Sequence, residues 1–404
     1  MEKTEKGMEY WKRIVILLFA GWSVIWIYRT VLTPVFAEIQ TTIGPHSDSQ
    51  MGLISSFYFF GYTALQIPSG ILVDKFGKKV ILVPGFILFS AAVVIIGLSR
   101  NITGLYIGSL LAGVGCGSYY GAAFSLNSQS VPKEKKGISA AIINCGTAIG
   151  MAIGLIASSY FVKILLVRWQ LLLFFVAFLI ICAAIAFAVF IKPEKREASP
   201  VKERSSAVRK GLSSIEMIAC YLVYFATCYG YYMIVTWLPS FLQEERGFTG
   251  LAIGFSSSFV AFSAIPGSLF FSRLYDKKKH LKIQLVAFLE IVAGAMVVLM
   301  VVAPNTYMLM AGLILYGFFG KLAVDPVLIS HVSDISPKGN TATYLGTFNF
   351  FGMCGSVLAP FITGFISDRT GSKVMGFYLV AALLIIGALM FLYGNLKGKK
   401  QRAE

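Results

Sequence analysis

Arg29 and Lys321 are basic residues set in stretches that are otherwise almost wholly apolar, and the residues spaced around them indicate what each can do. Trp22, Trp26 and Arg29 fall at i, i+4 and i+7, so one face of a helix there presents two indoles and a guanidinium. The planar fork of a guanidinium matches a carboxylate, and indoles suit an apolar body behind it. A charge at the depth of a hydrocarbon layer costs on the order of 3 kcal/mol by insertion scales, which a bound anion would offset. The competing structural reading has Arg29 reaching outward to headgroups or held by helix carbonyls. Lys321 precedes Asp325 by one helical turn, so the two can meet on one face. As structure this is a tolerated ion pair. As mechanism it is a switch, in which substrate competes for Lys321 and frees Asp325 to take a proton, which makes Asp325 the first candidate for proton coupling. Pro326 removes a helix hydrogen bond just after it and predicts a kink or gating hinge.

Neutral polar groups can complete such a site without the cost of a charge. Tyr58, Tyr62 and Gln66 form an i, i+4, i+8 stripe, Asn144 and Thr147 share a helix face, and Asn349 stands in a later apolar stretch. As mere interhelical glue each is worth about 1 kcal/mol. Tyr224, Tyr229, Tyr231, Tyr232 and Trp237 crowd one stretch too densely for spacing to choose among them. Glu290 is a weaker coupling candidate, and His331 beside Asp334 reads as a solvated terminal histidine. No nucleotide-binding loop, Ser/His/Asp arrangement or metal-ligand spacing appears, which argues against ATP-driven pumping by this chain alone, against an intramembrane enzyme, and for no cofactor and no metal.

The elements that must position these residues are twelve apolar stretches, about 14–36, 50–73, 79–98, 103–130, 138–160, 170–191, 215–241, 250–272, 284–303, 307–330, 341–366 and 375–394. Each is of the length, about 20 residues, that a helix needs to cross roughly 30 Å of hydrocarbon. With 57% hydrophobic and 13% charged residues and a mean hydropathy of +0.75, no water-soluble core could hide the apolar surface. The fold class is therefore an all-α membrane protein of twelve transmembrane helices. The net charge of +16 does not imply nucleic acid as a partner, because the basic residues sit in alternate loops. Of 35 Lys and Arg, 27 lie on the side of the termini and 6 in the loops opposite, which places both termini in the cytoplasm. The charged first dozen residues run into a full span with no small-residue cleavage site, so no removable signal peptide is expected. All six cysteines fall within spans and read as small core residues.

The charged stretch 192–214 divides the chain into two sets of six spans, 1–191 and 215–404, and reads as a cytoplasmic linker. Ile67-Pro68 and Ile265-Pro266 occupy equivalent places in the second and eighth spans, and each is followed by a basic turn, which suggests a duplicated bundle. Parallel repeats of this kind hold substrate between the halves near the midplane. Gly146, Gly150 and Gly154 offer a small-residue surface for sliding contact with the opposite repeat.

At the inner end of the second span stands Gly70-Ile71-Leu72-Val73-Asp74-Lys75-Phe76-Gly77-Lys78-Lys79. In it Gly70 permits close helix approach, Asp74 can cap or pair, Gly77 turns the chain, and Lys78 meets the anionic lipid surface. This stretch resembles the loop signature G-x-L-x-D-[RK]-x-G-[RK]-[RK] of the major facilitator superfamily, a resemblance that covers the whole chain and implies two pseudo-symmetric six-helix bundles working by alternating access. Tyr62 to Gly70, Thr236-Trp237-Leu238-Pro239-Ser240, and Asn349-Phe350-Phe351-Gly352 through Ala359-Pro360 resemble the anion:cation symporter branch and its neighbouring organic-anion exchangers, which carry sugar acids and small carboxylates. That resemblance implies Trp26, Tyr62 and Asn349 as lining residues beside Arg29, Lys321 and Asn144. Two positions depart from the branch: Tyr28 stands where an aspartate precedes the arginine, and Cys116 where many relatives have a membrane carboxylate. The expectation is a monomeric, multi-pass carrier in the cell membrane, moving a small organic anion with a proton or against a counter-anion. The rivals are a multidrug or cation exporter of the same fold and a membrane sensor that binds without transporting.

Overall fold

The computed structural model describes residues 10–132, 135–192, 211–337 and 341–403. They form helices and connecting turns. The first half comprises α1 (Tyr10–Val31), the short α2 (Phe36–Ile43), α3 (Asp48–Phe76), α4 (Lys78–Leu98), α5 (Ile102–Gly117), α6 (Tyr119–Ser130), α7 (Lys136–Ser158) and α8 (Trp169–Phe190). The second comprises α9 (Ile215–Glu244), α10 (Leu251–Lys277), α11 (Lys282–Val302), α12 (Thr306–Phe319), α13 (Lys321–Ile335), α14 (Thr341–Thr370) and α15 (Val374–Ala403). Among the described residues, eleven helical segments are long and apolar enough to cross a membrane, with α5–α6 and α12–α13 each counted as one. The twelfth expected span is α3, whose 29 residues suffice in length but whose apolar run is diluted by Ser55, Ser56, Tyr58, Tyr62, Thr63 and Gln66. The polar face that the site requires is what lowers its hydropathy.

The duplication is visible in local geometry. Asn101 caps α5 through the Gly104 amide at 2.9 Å, and Asn305 caps α12 through the Met308 amide at 3.0 Å, so the fourth and tenth spans start alike. Both spans then break midway, at Ser118 and at Gly320. The expected hinge at Pro326 is thus displaced by six residues: the helix ends at Phe319, restarts at Lys321, and carries Pro326 inside its second segment. Pro68 and Pro266 sit within α3 and α10. Gly77 separates α3 from α4 at φ +92°, a conformation that L side chains rarely adopt, so the turn demands glycine.

Within the first half α1 packs on α7 and α8, and α3 on α5; within the second α9 packs on α14 and α15, and α11 on α12 and α15. The halves meet along α3 with α14 and α7 with α10. Gly52 lies against the Pro360 carbonyl and Gly254 against that of Leu155, so glycines set the closeness of both seams. The Gly146, Gly150 and Gly154 stripe does not face the opposite repeat. It lies on Phe19, Ser23, Trp26 and Ile27 of α1, within its own bundle. Gly70 has open space where its own side chain would stand, while a side chain on Gly121 of α6 would begin 3.8 Å from the Gly70 Cα; Asp74's side chain lies outside the described residues, and Lys78 is buried with its ammonium 2.5 Å from Gln129 of α6. Most of the expected linker 192–214 likewise lies outside the described residues. Three cysteines are buried as expected, Cys116, Cys220 and Cys228, whereas Cys182 on α8 is exposed on the outer wall of its bundle.

The face away from the termini is closed by polar bonds between the halves. Lys373, 2% exposed, lies 2.9 Å from Asp48 and 2.5 Å from Glu244. Asp368 accepts from the amides of Asp48 at 2.7 Å and Ser49 at 3.0 Å. Lys163 bonds Glu38 at 2.6 Å and Gln243 at 2.9 Å. Burial works against the charge on Lys373, but the carboxylates of Glu244 and Asp48 outweigh it and hold its pKa above the usual lysine value.

Candidate functional site

Arg29 is buried on α1, and its surroundings are aromatic. The guanidinium carbon stands 4.8 Å from the centre of the Trp26 ring, 5.4 Å from Trp22, 4.6 Å from Tyr62, 5.4 Å from Tyr58 and 5.7 Å from Phe59. Arg29 Nε donates to the Tyr58 hydroxyl at 2.9 Å, and that hydroxyl donates to Cys116 Sγ at 3.1 Å. No ion pair involves Arg29 among the described residues, and its Nη2 has no hydrogen-bond partner. Trp26 Nε1, three residues earlier on the same helix, is also buried without a partner. Two buried donors side by side with nothing to donate to is an uncommon and costly arrangement. A carboxylate, with two acceptor oxygens, is the group that would satisfy both. A small cavity beside Arg29 is lined by Leu32, Thr33, Ile54, Ser55, Phe59 and Ser109, among others.

Helical spacing explains how these groups converge. Tyr58 and Tyr62 stack on one face of α3 at 6.4 Å between centroids, and Trp22 bonds Thr147 of α7 at 2.7 Å while stacking on Tyr119. Asn144 lies one turn before Thr147 and is exposed, with no hydrogen bond to the cage. In the other half Lys321 and Asp325 form the expected ion pair at 2.5 Å on α13, with Lys321 also 3.5 Å from the Tyr224 hydroxyl. Asp325 Oδ1 has no hydrogen-bond partner. Asn349 donates to Gln66 at 2.6 Å, a bond that joins α14 to α3.

The two charged centres are bridged by residues that spacing could not select. Tyr232 of α9 stacks on Trp26 at 6.2 Å and packs against Phe59 at 4.5 Å, while Tyr231 meets Trp26 edge-on at 6.0 Å. Tyr231 and Tyr232 each lie within electrostatic reach of both Arg29 and Lys321, and Tyr120 within reach of Lys321 and Asp325. His331, expected to be solvated, is instead buried edge-to-face against Phe391 at 5.5 Å. Its ring contact is thus with α15 and not with the site.

The buried aromatic chamber between the two halves holds one cation without an ion pair and one ion pair, with no metal-ligand cluster among the described residues. The sequence pattern of the family described as Major Facilitator Superfamily matches residues 15–318 and 285–404. The chain belongs to that superfamily. It is a transporter-family membrane protein of many spans, not an enzyme. Superfamily members similar to it include a probable sulfoacetate transporter of Cupriavidus necator, 28% identical with 86% of this chain and 85% of the relative covered. A hexuronate transporter of Bacillus subtilis is 24% identical, with 93% and 92% covered. Among solved structures, a bacterial homologue of the human lysosomal transporter Spinster, in an inward-facing and unoccupied conformation, superposes with a TM-score of 0.77 at 15% identity, covering 96% and 97%. At that identity the likeness supports the superfamily fold of two bundles.

Proposed function

We propose that this carrier moves a small organic anion, a carboxylate or sugar acid, across the cell membrane by rocking the bundles 1–191 and 215–404 around the chamber. The observation that carries the reading is the unpaired, buried Arg29 with its orphaned Nη2 beside the orphaned Trp26 Nε1. Arg29 and Trp26 bind the carboxylate, Tyr62 and Tyr232 hold its body, and Lys321 and Asn349 draw in the second half, with Asn144 at the entrance. The substrates named for the similar transporters, sulfoacetate and hexuronate, belong to the same chemical class.

Charge counting bears on coupling. Arg29, Lys321 and Asp325 together carry one net positive charge, which a monoanion neutralises. A dianion would match only with a proton taken up on Asp325, so Asp325 is the coupling residue of this scheme. With the termini in the cytoplasm, as the basic loops favour, the closed far face is the outer one and this is the inward-facing state. Lys78 and the Gly70 to Gly77 turn then lie on the cytoplasmic rim, where they limit how the first bundle tilts, and the carrier works as a monomer.

The test is a thermal-shift screen of the purified protein in detergent against mono- and dicarboxylates, sugar acids, neutral sugars and lipophilic cations. A ligand that binds only the native state raises the melting temperature by mass action, whatever the direction of transport. Stabilisation by one carboxylate class, lost in Arg29→Gln, is the expected result. Stabilisation by lipophilic cations or neutral sugars alone would replace this reading with an exporter or sugar carrier.

A further inference from the structure

Glu290 lies outside the Arg29 and Lys321 chamber, and its surroundings pose a question of hydrogen accounting. It is 1% exposed on α11. Its Oε1 is bonded to the Thr227 hydroxyl of α9, and the same hydroxyl lies 2.8 Å from the Val223 carbonyl one turn earlier. A threonine hydroxyl has one hydrogen, a carbonyl can only accept, and helical threonines commonly donate to the carbonyl four residues before them. If that hydrogen goes to Val223, the hydrogen in the Thr227–Glu290 bond belongs to Glu290.

The alternative is an ionised Glu290 with Thr227 as its single donor. Its Oε2 has no partner, and no ion pair among the described residues includes it. The charged groups within electrostatic reach are Lys321 and Asp325 of α13, which are already paired with each other. The other titratable groups facing it are Tyr316 of α12 and Cys228 of α9. From α15, which also packs on α11, Ala381, Leu384 and Ile385 approach at Gly294. A carboxylate with one neutral donor in such surroundings costs far more than an acid whose carbonyl oxygen lacks a partner.

We propose that Glu290 is a proton-binding site: in this state it is a neutral carboxylic acid that donates to Thr227 Oγ1, and release of that proton to water loosens α11 from α9. Thr227 adjoins Cys228 and lies one turn before Tyr231, so the loosening reaches the aromatic wall that touches Trp26. Protonation of Glu290 thereby sets the shape of the chamber from outside it, independently of what Asp325 does.

Infrared difference spectroscopy on the full-length protein, titrated without substrate, tests this directly. At neutral pH the wild type should show a protonated-carboxyl carbonyl band that is lost in E290Q and retained in the K321Q/D325N double mutant, which leaves no unpaired charge beside Glu290. The glutamine amide can donate the same bond to Thr227, so E290Q should keep a melting temperature close to that of the wild type and lose the alkaline part of its pH dependence. T227V, which removes the acceptor, should keep the band and shift its frequency. Equal band intensity in wild type and E290Q would overturn the proposal, as would an unshifted band in T227V. Neither result depends on which anion is carried.

Discussion

Replacing Arg29 by glutamine separates binding from folding. In the unliganded protein, the cost of placing a guanidinium at this depth, about 3 kcal/mol, is met by its aromatic neighbours and by Tyr58. A desolvated cation–π contact is worth up to about 2 kcal/mol and a hydrogen bond from a charged donor about 1.5–3 kcal/mol. The two sides nearly cancel, so R29Q should melt within a few degrees of the wild type. With a carboxylate bound, the mutant loses a buried charge-assisted bond whose removal costs about 3 kcal/mol, or roughly a hundredfold in affinity. Calorimetric titration of wild type and R29Q with the stabilising carboxylate from the screen measures both quantities on the same preparations. An affinity within threefold of the wild type in a folded R29Q would refute the assignment of Arg29 as the anion anchor.

Neutralising either member of the Lys321–Asp325 pair leaves the other charge buried and alone, which costs about 3–5 kcal/mol; K321Q and D325N should each melt lower, and the double mutant should recover most of the loss. If the double mutant also binds substrate like the wild type, the pair is purely structural. K373M removes the cation that joins the halves on the far face. Asp48 and Glu244 are partly exposed, so the closed state should weaken by only about 1 kcal/mol, near a fivefold shift in population. Labelling of a cysteine placed at Ser55, in the cavity beside Arg29, by a membrane-impermeant maleimide reads that shift. Because the pKa of Lys373 is raised, its contribution is complete below the ordinary lysine value of about 10.4 and is lost only as pH rises through the higher folded value. The ratio of K373M to wild-type labelling should therefore stay flat across neutral pH, since both proteins share the pH dependence of the thiol, and a change in that ratio between about pH 6 and 8 would contradict the clasp.

Where one helix face carried the information, the sequence was sufficient. Trp22, Trp26 and Arg29 converge because two intervals of helical spacing put them there, and Lys321 meets Asp325 for the same reason. Tyr231 and Tyr232 were out of reach because α9 is buried on nearly every side, so no stripe distinguishes a site-facing tyrosine from a packing one. The Gly146 to Gly154 stripe marked close approach correctly but could not name the partner, which is α1. Lys163 and Lys373 looked like ordinary loop charges, since only folding brings Glu38, Asp48 and Glu244 to them. The break at Gly320 was hidden by the apolar residues before it, while Pro326 drew attention through its missing amide hydrogen.

The placement of the tryptophans gives this chain a built-in optical readout. Trp22 and Trp26, two of its five, press on the Arg29 guanidinium, so an anion that draws the guanidinium away changes the field on both indoles. Trp237 sits on the far-face seam, donating to the Pro360 carbonyl at 2.9 Å with the Lys373 ammonium 5.4 Å from its ring centre. Parting of that seam would strip the indole of both neighbours and admit water to it. Emission recorded from the unlabelled protein, with single tryptophans replaced in turn by phenylalanine, would thus time occupancy of the chamber and parting of the seam as separate events in one stopped-flow trace.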